Sequence, residues 1–306
     1  MQWAKVREYI KNPYKVVNYL GARGRLNFLP DELYLKLKYY ACLGKNLNLA
    51  NPTTYNEKIQ WLKLHNRKPI YTKMSDKFEV RQYVAAAIGE EYLIPLLGVW
   101  EKFEDIDFRQ LPEQFVLKCT HDSGGVVICQ DKKNFDVKAA RQKINSCLRR
   151  NYYYHGREWA YKGIKPRIIC EKYLTDEFGS ELIDYKVWCF DGKAKCIKVC
   201  SNRYAAGGLK IDFYDLNWEV MPFKKGYPNS GTIIPKPKNF AKMIELAEKL
   251  SKDIPFLRVD FYDTKEHLYF GEFTFYPGSG LEKITPESYD YLLGSWINLP
   301  QGKSAI

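Results

Sequence analysis

Phe256-Leu-Arg-Val-Asp-Phe-Tyr-Asp-Thr-Lys-Glu-His-Leu-Tyr-Phe-Gly-Glu-Phe-Thr-Phe-Tyr-Pro-Gly-Ser-Gly280 decides how the rest of the chain is read. β-Branched and aromatic residues flank Asp263-Thr-Lys-Glu-His267, which predicts two strands joined by a polar turn. Side chains two apart on a strand share a face, so Arg258, Asp260 and Tyr262 are expected together, as are Phe270, Glu272 and Thr274. A hairpin symmetric about Glu266 sets Asp260 opposite Glu272 and Arg258 opposite Thr274. Carboxylates directly across a ladder repel each other, so the arrangement implies a cation between them. Magnesium is held by one or two carboxylates plus the phosphates of a substrate. On this segment alone, a solvated hairpin face with incidental charges remains open.

Composition sets the outer limits. A chain of 306 residues has room for one elaborate domain or two to three lobes. With 45% hydrophobic and 27% charged residues it reads as a globular protein. No apolar run approaches the ~20 residues that span a bilayer, and Met1-Gln-Trp-Ala-Lys-Val-Arg-Glu-Tyr-Ile10 lacks the apolar core of a signal peptide. A cytoplasmic location is expected. The eight cysteines form no C-x-x-C pair and sit mostly in apolar runs, which predicts buried reduced thiols; with four scattered histidines they match no zinc pattern.

A formal charge of +12 asks for an anionic partner. Residues 1–25 carry Lys5, Arg7, Lys11, Lys15, Arg23 and Arg25 against Glu8, with Trp3, Val6, Tyr9 and Ile10 interleaved. Two readings stand: an amphipathic helix lying peripherally on anionic lipid at the inner membrane face, or a helix docked on the body with a wet basic face. No homeodomain, zinc-finger, RRM or KH signature occurs, which excludes a dedicated nucleic-acid role.

Along the chain the texture changes twice. Residues 1–75 read as mostly helical, with Asp31 as an acidic cap and Thr54 three residues before Glu57 as a capping box. Ser75-Asp76-Lys77 opens a further helix that ends near Gly89. Short apolar runs follow at 93–100, 115–118, 126–129 and 167–171, interrupted by a charged helix over 137–150. After residue 180 come more strands, a helix at 239–252 and the hairpin. Strands and helices mix without βαβ alternation, so the expected class is α+β.

Three further segments carry candidate chemistry. Phe115-Val-Leu-Lys-Cys-Thr-His-Asp-Ser-Gly-Gly-Val-Val-Ile-Cys129 is a strand ending in Lys118, a glycine-containing loop and a second strand. Backbone N–H groups of such a loop can form an anion nest beside the lysine charge; an ordinary hairpin turn is the alternative. Arg167-Ile-Ile-Cys-Glu-Lys-Tyr-Leu174 is a strand whose extended end can offer N–H and C=O to an adenine edge, or merely an exposed ion pair. Asp184-Tyr-Lys-Val-Trp-Cys-Phe-Asp-Gly192 puts Asp184, Lys186 and Trp188 on one face, lining a cleft or facing solvent.

In this order the pieces resemble the ATP-grasp superfamily. The corresponding elements are Lys118, the loop His121–Gly125, Glu171-Lys172-Tyr173-Leu174, Arg258-Val-Asp260, Glu272-Phe-Thr274 and Pro277-Gly278, in a layout similar to that of D-alanine–D-alanine ligases. Lys77 stands where such enzymes carry an earlier phosphate-binding lysine. Asn56-Glu-Lys-Ile-Gln-Trp-Leu-Lys-Leu64, Asp76-Lys-Phe-Glu-Val-Arg81 and Asp184-Tyr-Lys186 resemble the TupA-like branch, associated with capsule, O-antigen and other surface polysaccharides. The resemblance covers residues 50–300 and departs from the usual pattern at Thr274, where many relatives have asparagine.

The resemblance implies a helical region over 1–75, a small ATP-grasp lobe over 76–173 and a large lobe over 174–306, with mainly antiparallel sheets gripping ATP. Lys77, Lys118, His121, Ser123, Gly124 and Gly125 would hold phosphates. Glu171, Lys172, Tyr173 and Leu174 would receive adenine, with Asp184 and Lys186 near the ribose. Asp260, Glu272 and Thr274 would hold Mg2+, and Arg258 with Lys118 would be catalytic. The implied reaction joins a sugar carboxylate, on a nucleotide- or lipid-linked uronate, to an amino acid or small amine through an acylphosphate; the reverse polarity, an amino-acid carboxyl joined to an amino sugar, is equally open. The alternatives are a glycosyltransferase, for which Asp105-Ile-Asp107 is the only D-x-D of interest, and a sugar kinase.

Overall fold

The structure is a computed structural model and describes residues 14–175, 182–201, 208–264 and 267–300. The first thirteen residues of the basic stretch, and with them most of the lipid-facing reading, lie outside the described residues.

The apolar runs of the first half pair into an antiparallel sheet of β1 (Leu96–Trp100), β2 (Phe115–Cys119), β3 (Val126–Cys129) and β4 (Ile168–Lys172), in the order β1-β4-β2-β3. The helix Val137–Leu148 starts at Asp136, whose carboxylate accepts from Ala139 N at 2.9 Å. It buries Ala140, Ile144 and Cys147, a 3–4 spacing, against Phe115, Leu117, Ile168 and Cys170 of the sheet.

The second sheet has β5 (Asp184–Phe190), β6 (Lys193–Ser201), β7 (Lys210–Tyr214), β9 (Phe256–Asp263) and β10 (Leu268–Thr274), in the order β10-β9-β5-β6-β7. β8 (Lys224–Lys225) and β11 (Ile284–Thr285) form a separate pair. Every residue of β5 is buried, so the solvent-facing reading of Asp184–Phe190 is overturned. Trp188 is fully enclosed, stacked on Tyr55 at 5.1 Å with the edges of Phe213 and Phe256 at 5.4 and 5.3 Å. The helix Phe240–Leu250 adds Met243, Leu246, Ala247 and Leu250 to this core.

The hairpin forms, with a correction. Arg258 pairs with Thr274 as expected, but the register shifts between Phe270 and Phe273, so Gly271 and Glu272 together oppose Asp260. This bulge moves Phe270 off Glu272's face and into the core beside Phe273, ring to ring at 4.7 Å. Glycine suits the bulge, because a Cβ at Gly271 would sit 3.2 Å from the Asp260 carbonyl oxygen.

The N-terminal part is helical over Tyr14–Ala22, Asp31–Leu43, Tyr55–His65 and Pro69–Ser75. Thr54 and Glu57 form the expected capping box. Asp31 caps nothing: it begins its helix, with Pro30 at the cap, and its carboxylate pairs with Arg67 at 2.7 Å and accepts from Tyr153 Oη at 2.5 Å. Seven cysteines are buried, Cys42 is exposed, and all are free thiols.

Candidate active site

A cleft of about 810 Å³ separates the two sheets. The first sheet contributes Val116, Lys118, Val126 and Ile128, and the second contributes Asp184, Lys186, Lys198, Arg258, Asp260 and Glu272. The first wall is thus mainly apolar around Lys118, whereas ionisable side chains concentrate on the second.

The charged wall is a set of linked ion pairs. Arg258 donates through Nε to Asp260 Oδ1 at 2.6 Å and through Nη2 to Asp260 Oδ2 at 2.7 Å and Glu272 Oε1 at 3.1 Å. Lys186, paired across the ladder with Asp260, contacts that same carboxylate and lies 3.4 Å from Asp184. Burial opposes the charges of Arg258 and Lys186, yet their carboxylate partners hold both more firmly protonated than usual. Desolvation likewise opposes ionisation of Glu272, but Lys77, Arg258 and Lys186 outweigh it and lower its pKa. The like-charge pair inferred from the sequence is therefore neutralised here by side chains.

Hard divalent cations fit this donor set. A carboxylate offers about four lone-pair sites, and Asp260 spends three on Arg258 and Lys186. Glu272 Oε2, on a side chain 37% exposed, has Lys77 Nζ at 3.8 Å. Among the described residues no cluster of three or more His, Cys, Asp or Glu could hold a metal. A two-carboxylate site completed by phosphate oxygens is the pattern magnesium uses. Thr274 pairs with Arg258 in the ladder and does not line the cleft.

The other lip is built from residue 77 and the glycine loop. Lys77 N donates to Thr120 O at 3.1 Å, and its Nζ donates to Asp122 O at 2.8 Å, so one residue ties the loop to the carboxylate wall. His121 is buried, with Nε2 3.1 Å from Cys147 O, and burial lowers its pKa. Asp122 pairs with Arg150 at 2.8 Å. Only Ser123 and Gly124 of the loop are exposed, and Gly124 has a φ of +105°, a conformation that favours glycine. Gly125 is packed under Cys119, whose amide donates to its carbonyl at 2.8 Å.

Most of the expected residues meet in the cleft: Lys77, Lys118, Ser123, Gly124, Lys172, Tyr173, Leu174, Asp184, Lys186, Arg258, Asp260 and Glu272. His121, Gly125 and Thr274 support it from outside. Glu171 is turned aside into a neighbouring recess, bonded to Lys118 Nζ at 2.6 Å and 3.4 Å from Arg81. Asp105-Ile-Asp107 takes no part, since Asp107 caps a turn by accepting from Arg109 N at 3.1 Å.

Sequence reasoning left several participants without a role. Arg81 donates to Ile94 O at 2.9 Å and steers Glu171. Lys198 lines the cleft directly across the ladder from Lys186; its signal is a lysine alternating with Cys196 and Cys200, at the register of buried positions. Asn56, Gln60 and Lys63 share one helix face; Gln60 and Lys63 grip the turn Pro277–Gly280 that follows β10, and Asn56 Nδ2 donates to Glu282 O at 3.1 Å and Asp290 Oδ2 at 3.0 Å. Gln60 donates to Ser279 O and Gly280 O at 2.9 and 2.7 Å, and Lys63 Nζ is ringed by Gln60 Oε1, Gly156 O, Ser279 O and Ser279 Oγ at 2.7–2.9 Å.

Among curated proteins no relative matches by sequence. Solved structures that overlap include D-alanine–D-alanine ligase from Bacillus anthracis complexed with ATP (16% identity, TM-score 0.39, 66% of this chain and 54% of that one). D-alanine–D-alanine ligase from Helicobacter pylori is similar at 14% identity and a TM-score of 0.40, over 74% of this chain and 61% of that one. The ADP complex of N5-carboxyaminoimidazole ribonucleotide synthetase overlaps at 15% identity and a TM-score of 0.42, over 89% of this chain and 66% of that one. The chain spans less than two thirds of the length of each. A family model described as TupA-like ATP-grasp matches residues 57–298. The chain therefore belongs to the TupA-like ATP-grasp family, within a superfamily of ATP-dependent ligases.

Proposed function

We propose that the protein is an ATP-dependent carboxylate–amine ligase acting on an acidic sugar in surface-polysaccharide assembly. The observation that carries this reading is the convergence of Lys77 and Lys118 from one side of the cleft with Arg258, Asp260 and Glu272 from the other. In it, 76–173 and 174–306 act as the two gripping lobes and 1–75 as a helical support. The basic stretch at residues 1–25 is assigned to peripheral contact with an anionic membrane; no helix among the described residues is long and apolar enough to cross one.

The apolar patch of Val116, Val126, Ile128, Tyr173 and Leu174 receives adenine, and Asp184 takes the ribose. Lys77 and Lys118 neutralise the phosphates, while the Ser123–Gly124 tip supplies backbone N–H groups and excludes water. Asp260 and Glu272 would hold Mg2+, which when bound would neutralise phosphate charge. The substrate carboxylate attacks the γ-phosphorus of ATP, ADP leaves, and an acylphosphate results. An amine of an amino acid or small amine then attacks the acyl carbon, loses a proton and expels inorganic phosphate, leaving an amide. Arg258 faces the oxyanion that develops in that second step.

The test is ADP release over a panel of nucleotide-linked uronates and amines, with magnesium present and then chelated. ADP and phosphate formed only when acid, amine and magnesium are all present support the ligase. A phosphorylated sugar formed without amine identifies a kinase and refutes it.

A further inference from the structure

Lys186 and Lys198 stand directly opposite each other on β5 and β6, so two ammonium groups share one face of the ladder. Like charges in that relation destabilise a sheet unless something lies between or beside them. Lys186 has its compensation in Asp260 and Asp184. Lys225, on β8, has Glu282, and Arg258 has Asp260 and Glu272. Among the described residues Lys198 forms no ion pair, although it lies within the cleft and is only partly exposed.

Its surroundings differ from those of the phosphate-binding lysines. Lys77 and Lys118 come from the loop-bearing side, Lys77 Nζ bonded to Asp122 O of the glycine loop and Lys118 Nζ to Glu171. Lys198 lies three strands from Glu272, at the β6–β7 side of the sheet, where Leu209, Ile211 and the half-exposed ring of Tyr227 complete the wall. An aromatic ring and two aliphatic side chains beside one unpaired ammonium form a surface for a ring-shaped ligand that carries an anionic group. Burial, with Arg258 and Lys225 close by, depresses the Lys198 pKa to about 8, so an arriving anion would offset the penalty on its charge.

We propose that Lys198 anchors the carboxylate of the second substrate, an acidic sugar seated against Tyr227, Leu209 and Ile211; this rests on the ligase reading above. The chemistry is that of any oxyanion, so the test must separate the sugar from the nucleotide phosphates. Calorimetry on the whole 306-residue chain uses sodium D-glucuronate as probe, with saturating magnesium and β,γ-imido-ATP. Lys198→Met is expected to weaken glucuronate about tenfold or more and Lys198→Arg about threefold at most. Binding of the ATP analogue stays within about twofold in both variants. Equal glucuronate affinity in Lys198→Met overturns the proposal, as does undetectable binding by the wild type at millimolar glucuronate. A tenfold loss of analogue binding overturns it too, by assigning the lysine to the phosphates. D-Glucose, the same ring without the carboxylate, is expected to show no dependence on Lys198; an equal loss for glucose refutes carboxylate recognition. A wild-type protein that binds no analogue fails the ligase reading separately, because the glucuronate comparison can be repeated without nucleotide.

Discussion

Two polar networks lie within a few residues of each other, one at the end of β10 and one in the turn that follows it, and they are built on opposite plans. Around Ser279, Lys63 is ringed by four oxygens, Gln60 donates to two carbonyls, and Lys225 bonds to Glu282 and Pro277 O. This network is closed, and it holds three consecutive left-handed residues, Gly278, Ser279 and Gly280. A left-handed serine costs on the order of 1 kcal/mol, and a Cβ at Gly280 would meet Ile59 Cγ2 at 2.6 Å. Around Glu272 the charges are nearly balanced but open into a cleft of about 810 Å³. One network spends its polar groups on shape, whereas the other holds them available for a ligand.

The largest expected effect breaks the open network. Asp260→Asn or Glu272→Gln should slow ADP formation about a thousandfold, a barrier rise of ~4 kcal/mol. The urea midpoint should move little for Glu272→Gln, whose side chain is 37% exposed and whose amide oxygen can still accept from Arg258, whereas Asp260→Asn leaves buried Arg258 and Lys186 short of a counter-charge and should cost stability as well. A loss of stability in Glu272→Gln that tracks its loss of activity would show that this network, too, is structural. Next in size, Lys63→Met should cost about 3 kcal/mol in urea unfolding, since buried oxygens lose their donor. Its ADP formation per folded molecule should stay within a few-fold of the wild type, and a thousandfold loss would erase the contrast.

The smallest effect is a pH dependence. Lys198 faces Arg258, Lys225 and Lys186, with Cys200 and Glu282 opposing them, and its folded pKa of about 8 lies below the unfolded value of ~10.4. Between these values the unfolded chain binds the extra proton, so this group's penalty is full below pH 8 and fades as pH rises. Lys198→Met should therefore be stabilised relative to the wild type at pH 7 and lose that advantage by pH 10, as read by urea midpoints. A pH-independent difference would contradict it.

The open network was largely legible in the sequence, because its residues are local: Arg258, Asp260 and Glu272 sit on one hairpin, and alternation assigns their face. Its register was not, since the extra residue at Gly271 is marked only by a glycine within a strand. The closed network was hidden. Asn56, Gln60 and Lys63 form a polar stripe that reads as a wetted helix face, and their partners lie about 220 residues away. The Thr54–Glu57 capping box was visible because both halves lie within one turn, whereas Asp31 misled because its partners, Arg67 and Tyr153, are distant. Lys198 was obscured by neighbouring lysines at 193 and 195 on the same strand, which suggest a solvated edge.

The central claim, that the open cleft activates a carboxylate through an acylphosphate, is tested most directly by isotope transfer. With the uronate that supports turnover labelled with 18O in its carboxylate, one labelled oxygen should appear in the released inorganic phosphate for each amide formed. Phosphate free of label, or label retained in a phosphorylated sugar, would contradict the account.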